Sequence, residues 1–159
     1  MKFHFALITV LAASSLYFTS ALAAITGVGH SVQNGQVKLY VWEKFAGAQP
    51  SKKVVVLAHG SATAGRESFD LQVPGMTDIS LVDVRAGAGY DGFALDTRGF
   101  GRSTHPEGHM STSEVNEDLN AVVDYVTKLR GVTKVDLLAW SSATQYSGMF
   151  VMARPANVV

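Results

Sequence analysis

The chain has 159 residues, enough for about one domain. Hydrophobic residues make up 47% and charged residues 16%, which excludes a disordered tail and a coiled coil. Thirteen basic residues balance thirteen acidic ones, so zero net charge argues against an electrostatic binder of nucleic acid. The chain has no cysteine, which excludes a disulfide scaffold, a thiolate metal site and a cysteine nucleophile.

Residues 1–23 read as a secretory signal peptide. Lys2 gives the positive start, Phe5 to Phe18 is mostly apolar, and Ala21-Leu22-Ala23 offers the small-x-small cleavage pattern. The apolar run is shorter than the roughly 20 residues a spanning helix needs. Cleavage after Ala23 leaves 12 basic against 13 acidic residues, a net charge of −1. The expectation is a secreted or periplasmic protein whose domain occupies residues 24–159, with no membrane span after cleavage.

Asn34-Gly35 is a hairpin-turn signal. After it, Val37 to Phe45 begins with alternation: Val37, Leu39 and Val41 on one side, Lys38, Tyr40 and Trp42 on the other. That predicts a half-buried strand, with Tyr40 and Trp42 packed on or beside its surface. Val54 to Ala58 is a continuous apolar run, the form of a strand covered on both faces. Arg66, Glu67 and Asp70 read as a solvated charged loop. A weak helix is expected over Ile79 to Ala86, ending at Gly87 and Gly89, and a strand over Phe93 to Leu95.

Ser111 followed by Glu114 fits a capping box. Val115, Leu119, Val122, Val126 and Leu129 then form one apolar helical stripe, and Gly131 supplies the C-cap. Val135 to Ala139 reads as a strand, and a last helix runs from just after Ser141 to about Arg154. Strands alternating with helices predict an α/β fold, with helices flanking a mostly parallel sheet. Ligands in such sheets sit at the carboxyl ends of the strands.

Three segments lie at those ends. In Ala139-Trp140-Ser141-Ser142-Ala143, a serine sits between a buried strand and a helix, with small residues two before and two after it. That is the pattern of a nucleophile elbow, with alanine at both usual glycine positions. The turn is so sharp that only small flanking side chains fit. The same residues also suit an ordinary helix N-cap. The second segment is His59-Gly60-Ser61. Acyl transfer needs two preorganised N–H donors for its oxyanion, and Ser61 and Ser142 are the candidates. His59 reads as a buried histidine bonded to nearby backbone rather than as a catalytic base. The third segment is Asp96-Thr97-Arg98-Gly99-Phe100-Gly101-Arg102-Ser103. Asp96 and Arg98 are expected to pair with each other or with loop backbone. It lacks the Walker lysine and the dinucleotide spacing.

Together these segments resemble the α/β-hydrolase superfamily over roughly Val37 to Pro155. VVVLAHGSA is similar to its third strand and oxyanion loop, LDTRGFGRS to its D-x-R-G-x-G-x-S loop, and LLAWSSA to its fifth strand and elbow. The resemblance implies a serine nucleophile at Ser141, oxyanion donors at Ser61 and Ser142, and hydrolysis of a small ester-like substrate. It implies no cofactor and no metal. Ser141 in the nucleophile position disfavours the members with an aspartate nucleophile, such as dehalogenases and epoxide hydrolases. In that family the acid and the histidine follow the nucleophile. No Asp, Glu or His follows Ser141 here. The expectation is therefore the N-terminal half of an exported serine hydrolase, inactive as given, with a last strand whose outer edge is unpaired. The rival reading is a non-catalytic binding protein or a nonfunctional remnant. His105 and His109 are expected in the pocket lining or in a solvated loop, not as a relocated base. Met110, Met149 and Met152 are expected to fill core or pocket, and Gln145 and Tyr146 to pack behind the nucleophile.

Overall fold

The computed structural model describes residues 23–48, 50–51, 53–77 and 79–159. The signal-peptide reading therefore lies outside the described residues, apart from Ala23. The elements in chain order are β1 (Ile25–Asn34), β2 (Val37–Ala46), β3 (Val54–Ala58), α1 (Gly65–Phe69), α2 (Leu81–Gly87), β4 (Asp91–Asp96), α3 (Thr112–Arg130), β5 (Asp136–Ala139) and α4 (Ala143–Ala153). A 3-10 turn, Pro155–Asn157, follows.

The sheet order is β1-β2-β4-β3-β5. β3 pairs in parallel with β4 and with β5, while β2 runs antiparallel to both β1 and β4. Only β2 opposes the other four, so the sheet is mostly parallel, as the alternation of strands and helices predicts. Asn34 and Val37 pair across the expected turn, in which Gly35 has a φ of 57°. The strand before that turn was not predicted. Two glycines and several polar residues interrupt its apolar pattern, and most of it is exposed.

β3 and β4 carry no exposed residue. Val54, Val56 and Ala58 face a core shared with α3 and α4, together with Phe93 and Leu95 of β4. Val55, Leu57 and Ala94 face the other way, onto Phe69 of α1 and Val82 of α2. Helices on both faces explain why the β3 run does not alternate.

α3 has both halves of the capping box. The Glu114 N–H donates to Ser111 Oγ, and the Ser111 N–H donates to Glu114 Oε2 at 2.8 Å. Gly131 ends the helix in a left-handed conformation, which costs glycine no Cβ clash. The buried stripe is Leu119, Val122, Val123 and Val126; Leu129 falls off it and is 40% exposed. Met149 and Met152 are likewise exposed rather than filling core. β5 ends the sheet. Among the described residues its outer side meets only a bridge between Val135 and Val158. No helix among the described residues is long and apolar enough to cross a membrane.

The 66–70 segment corrects the expectation of a solvated loop. Most of it forms α1, and Asp70 is buried. The Asp70 carboxylate accepts from Trp42 Nε1 (2.7 Å), Lys44 Nζ (2.8 Å), Ser80 Oγ (2.7 Å) and Gln72 Nε2 (2.8 Å). Burial pushes its pKa up, but these four donors outweigh burial and hold it below the ordinary value. Arg66 lies over the Trp42 ring at 4.2 Å.

A second buried cluster links the sheet to the end of α3. Arg130 donates to Glu43 of β2 and to Asp91 of β4, and His30 of β1 meets Glu43 at 2.6 Å. Both carboxylates are buried. Arg130→Ala leaves buried Asp91 without a partner and Glu43 with His30 alone, so it should cost about 3–5 kcal/mol of stability. Urea unfolding followed by circular dichroism measures that loss.

Candidate active site

The loops after β3, β4 and β5 meet at the carboxyl ends of the parallel strands. Ser141 ends the turn from β5 into α4. Its φ is 58°, and among the described residues it is the only non-glycine with positive φ. A side chain in that region carries strain of order 1–3 kcal/mol, which persists only where the surroundings impose it. Ala143 is fully buried in the core and Ala139 packs against the same cluster, so alanine fits both sides of the turn. Gly60 faces Ser141 directly. A Cβ on Gly60 would lie 2.8 Å from Ser141 Cβ and 3.1 Å from its Oγ. Only glycine allows that approach.

Ser141 is exposed, and its Oγ has no hydrogen-bond partner among the described residues. Ser142 is the N-cap of α4. Neither the Ser61 N–H nor the Ser142 N–H donates to any described group. Two unengaged donors thus stand near the serine, one of them at the N-terminus of an 11-residue helix, where partial positive charge gathers.

His59 has the structural role expected of it. The Thr97 N–H donates to Nε2 at 3.1 Å, so the proton sits on Nδ1 and points to the Gly60 carbonyl at 2.6 Å. The ring is buried and meets Phe100 edge-on at 5.0 Å. Burial lowers its pKa, opposed in part by the Gly60 carbonyl and Asp96. Tyr146 packs behind the Ser141 turn as expected, and its hydroxyl donates to the His59 carbonyl at 2.8 Å.

Asp96 binds loop backbone, one of its two expected arrangements. It accepts from the Gly65 N–H (2.8 Å) and the Arg102 N–H (2.9 Å), so one carboxylate ties the loops after β3 and β4. A Cβ at Gly101 would overlap that carboxylate, and Gly101 has a φ of 53°. Arg98 pairs with neither Asp96 nor its own loop. It forms a two-pronged contact with buried Asp118 of α3, through Nε (2.9 Å) and Nη2 (2.8 Å). Asp118 was not singled out in the sequence. Its position beside Leu119, at the margin of the apolar stripe, was the available signal.

A cavity of about 200 Å³ opens beside the two free donors. Its lining is His59, Gly60, Ser61, Thr97, Phe100, His109, Met110, Thr112, Val115, Ser142, Gln145 and Tyr146. Phe100, Thr112 and Val115 were not foreseen as lining, because they come from separate segments. His109 and Met110 line the cavity as expected; His105 is solvated, and no hydrogen bond joins His109 to Ser141. A larger cavity of about 570 Å³ lies against α2 and Ile25 and contains none of these residues. No group of three metal-ligating side chains occurs among the described residues.

The family model for the α/β-hydrolase fold matches residues 53–158, and the chain belongs to that family. No curated protein sequence matches it. Among solved structures, it is similar to an epoxide hydrolase variant from Vigna radiata, at 23% identity and a TM-score of 0.62, over 83% of this chain and 36% of that one. A haloalkane dehalogenase from Agrobacterium tumefaciens matches at 15% identity and a TM-score of 0.63, over 83% of this chain and 38% of the other. An esterase from Exiguobacterium antarcticum matches at 21% and 0.62, over 82% and 42%. At these identities the likeness is one of fold. The chain spans well under half the length of each.

Two outcomes follow from the histidine and the tyrosine. Tyr146→Phe leaves a buried carbonyl without its donor and should cost about 1–3 kcal/mol, measurable by thermal unfolding. The folded-state pKa of His59 lies below its ordinary 6.5, so its contribution to stability is complete above pH 6.5 and declines as pH falls below that value. His30 shifts in the same direction. His59→Asn should therefore shrink, without abolishing, the stability lost between pH 7.5 and pH 5.5.

Proposed function

We propose that this chain carries the nucleophile and oxyanion donors of an exported serine hydrolase acting on ester-like substrates. The observation that supports it most is the Ser141 turn. A serine in a left-handed conformation faces Gly60, and two unengaged N–H groups stand beside it. An ordinary N-cap needs no such strain, and Ser142 already holds the cap position.

In this reading Ser141 Oγ attacks the substrate carbonyl carbon. The Ser61 and Ser142 N–H groups donate to the oxygen as it gains charge. A histidine outside these 159 residues takes the Ser141 proton and passes it to the departing alcohol. Water then attacks the acyl-enzyme and restores Ser141, with the same histidine relaying the proton. His59 cannot serve as that base, because both ring nitrogens are engaged with backbone. A serine at the turn, not a carboxylate, favours acyl hydrolysis over the chemistry named for the epoxide hydrolase and dehalogenase neighbours.

The expected outcome for the 159-residue chain alone is no appreciable turnover. A burst of acylation at Ser141 by an activated ester would contradict it. Protein from the native source should be labelled by a fluorophosphonate on the peptide carrying Ser141, and Ser141→Ala should abolish that labelling. A folded native protein that resists the probe favours a binding role. N-terminal sequencing of the exported form should begin at Ala24.

A further inference from the structure

We propose that Asn34 is a self-modification site. The Gly35 nitrogen attacks the Asn34 side-chain amide, and the carboxylate left after ammonia departs loosens the Arg98–Asp118 contact that ties the loop after β4 to α3.

The turn supplies the reacting atoms. Asn34 ends β1, and Gly35 and Gln36 form the turn to Val37. Gly35 has a φ of 57° and Gln36 has no such positive φ, so glycine holds the first central position of the hairpin turn. Gly35 is exposed, and a Cβ there would meet nothing within 4 Å. Among the described residues its N–H has no hydrogen-bond partner. With no side chain, its nitrogen can turn toward Asn34 Cγ at little steric cost. The other three asparagines lack these conditions. Asn116 and Asn120 lie inside α3, where the N–H groups that follow them are spent on helical hydrogen bonds. Asn157 precedes the branched Val158, whose N–H donates to the Pro155 carbonyl.

The reaction balances with water alone. The Gly35 nitrogen gives its proton to solvent and bonds to Asn34 Cγ. The Cγ–Nδ2 bond breaks, and Nδ2 takes a proton and leaves as ammonia. The five-membered imide then adds one water. Opening at Cγ gives aspartate. Opening at the main-chain carbonyl gives isoaspartate, whose main chain is longer by a methylene.

Position gives that reaction a consequence. Asn34 Nδ2 donates to Asp118 Oδ1 at 2.9 Å. The same buried carboxylate accepts from the Arg98 N–H (3.1 Å), Nε (2.9 Å) and Nη2 (2.8 Å). Deamidation removes a donor from Asp118 and sets a second carboxylate beside it. Two such charges disfavour each other and compete for one guanidinium.

The native protein, held folded at mildly alkaline pH and peptide-mapped over time by mass spectrometry, tests this. The peptide carrying Asn34 should gain the mass of an amide-to-acid change, faster as pH rises, while those carrying Asn116, Asn120 and Asn157 stay intact. The modified fraction, separated by its extra negative charge, should unfold about 5 °C lower or more. Asn34→Asp should reproduce that loss, and should cost less when made in Asp118→Asn. If these variants fail to fold, the separated fraction still gives the reading. An Asn34 that stays intact, or changes only after unfolding in urea, overturns the site. A modified fraction that unfolds with the unmodified protein, or an Asn34→Asp cost equal in both backgrounds, overturns the link to Arg98 and Asp118.

Discussion

A strand covered on both faces can offer chemistry only at its ends. β3 and β4 are such strands, with helices on either side and no exposed residue. Their parallel pairing puts both carboxyl ends on one edge, and β5 beside β3 adds a third. Every candidate functional residue lies in the loops that leave this edge. The burial of two short apolar segments is thus the constraint on which the site depends.

Burial brings the loops close but does not fix them. Polar groups taken out of water do, because each must find a partner. Asp96 gathers N–H groups from two loops. His59 joins the same two loops through both ring nitrogens, and Tyr146 fastens His59 to α4. Arg98 and Asp118 tie the loop after β4 to α3. The serine in its strained turn is thereby held by neighbours whose hydrogen bonds are nearly all satisfied. Among the described residues the Ser141 hydroxyl and the Ser61 and Ser142 N–H groups have no hydrogen-bond partner, and the buried Ser147 hydroxyl of α4 shares that state. The proposed chemistry rests on that arrangement, an unengaged hydroxyl held beside unengaged N–H groups.

Much of this was legible in the chain. The capping box and Gly131 bounded α3 because both signals are local hydrogen-bond and backbone preferences, which survive folding unchanged. The continuous run of β3 and the alternation of β2 reported burial on two faces and on one. Glu43 falls in the inward series Leu39, Val41, Glu43, Phe45, yet its meaning depends on Arg130, 87 residues away. Asp70 looked solvated because charge normally implies exposure, and its four donors come from three separate segments. β1 was missed because its order comes from pairing with β2 more than from its own pattern.

The sequence by itself determined β2 to β5, α2, α3 and α4, and the place of a serine flanked by small residues between β5 and α4. These follow from local period, caps and the steric freedom of glycine. Only the tertiary structure decided that Arg98 pairs with Asp118, that Asp96 holds two loops, and that Phe100, Met110, Val115 and Tyr146 enclose one cavity. Those outcomes rest on contacts between residues far apart in the chain, where distance and the need to satisfy buried polar groups, not local preference, choose the partner.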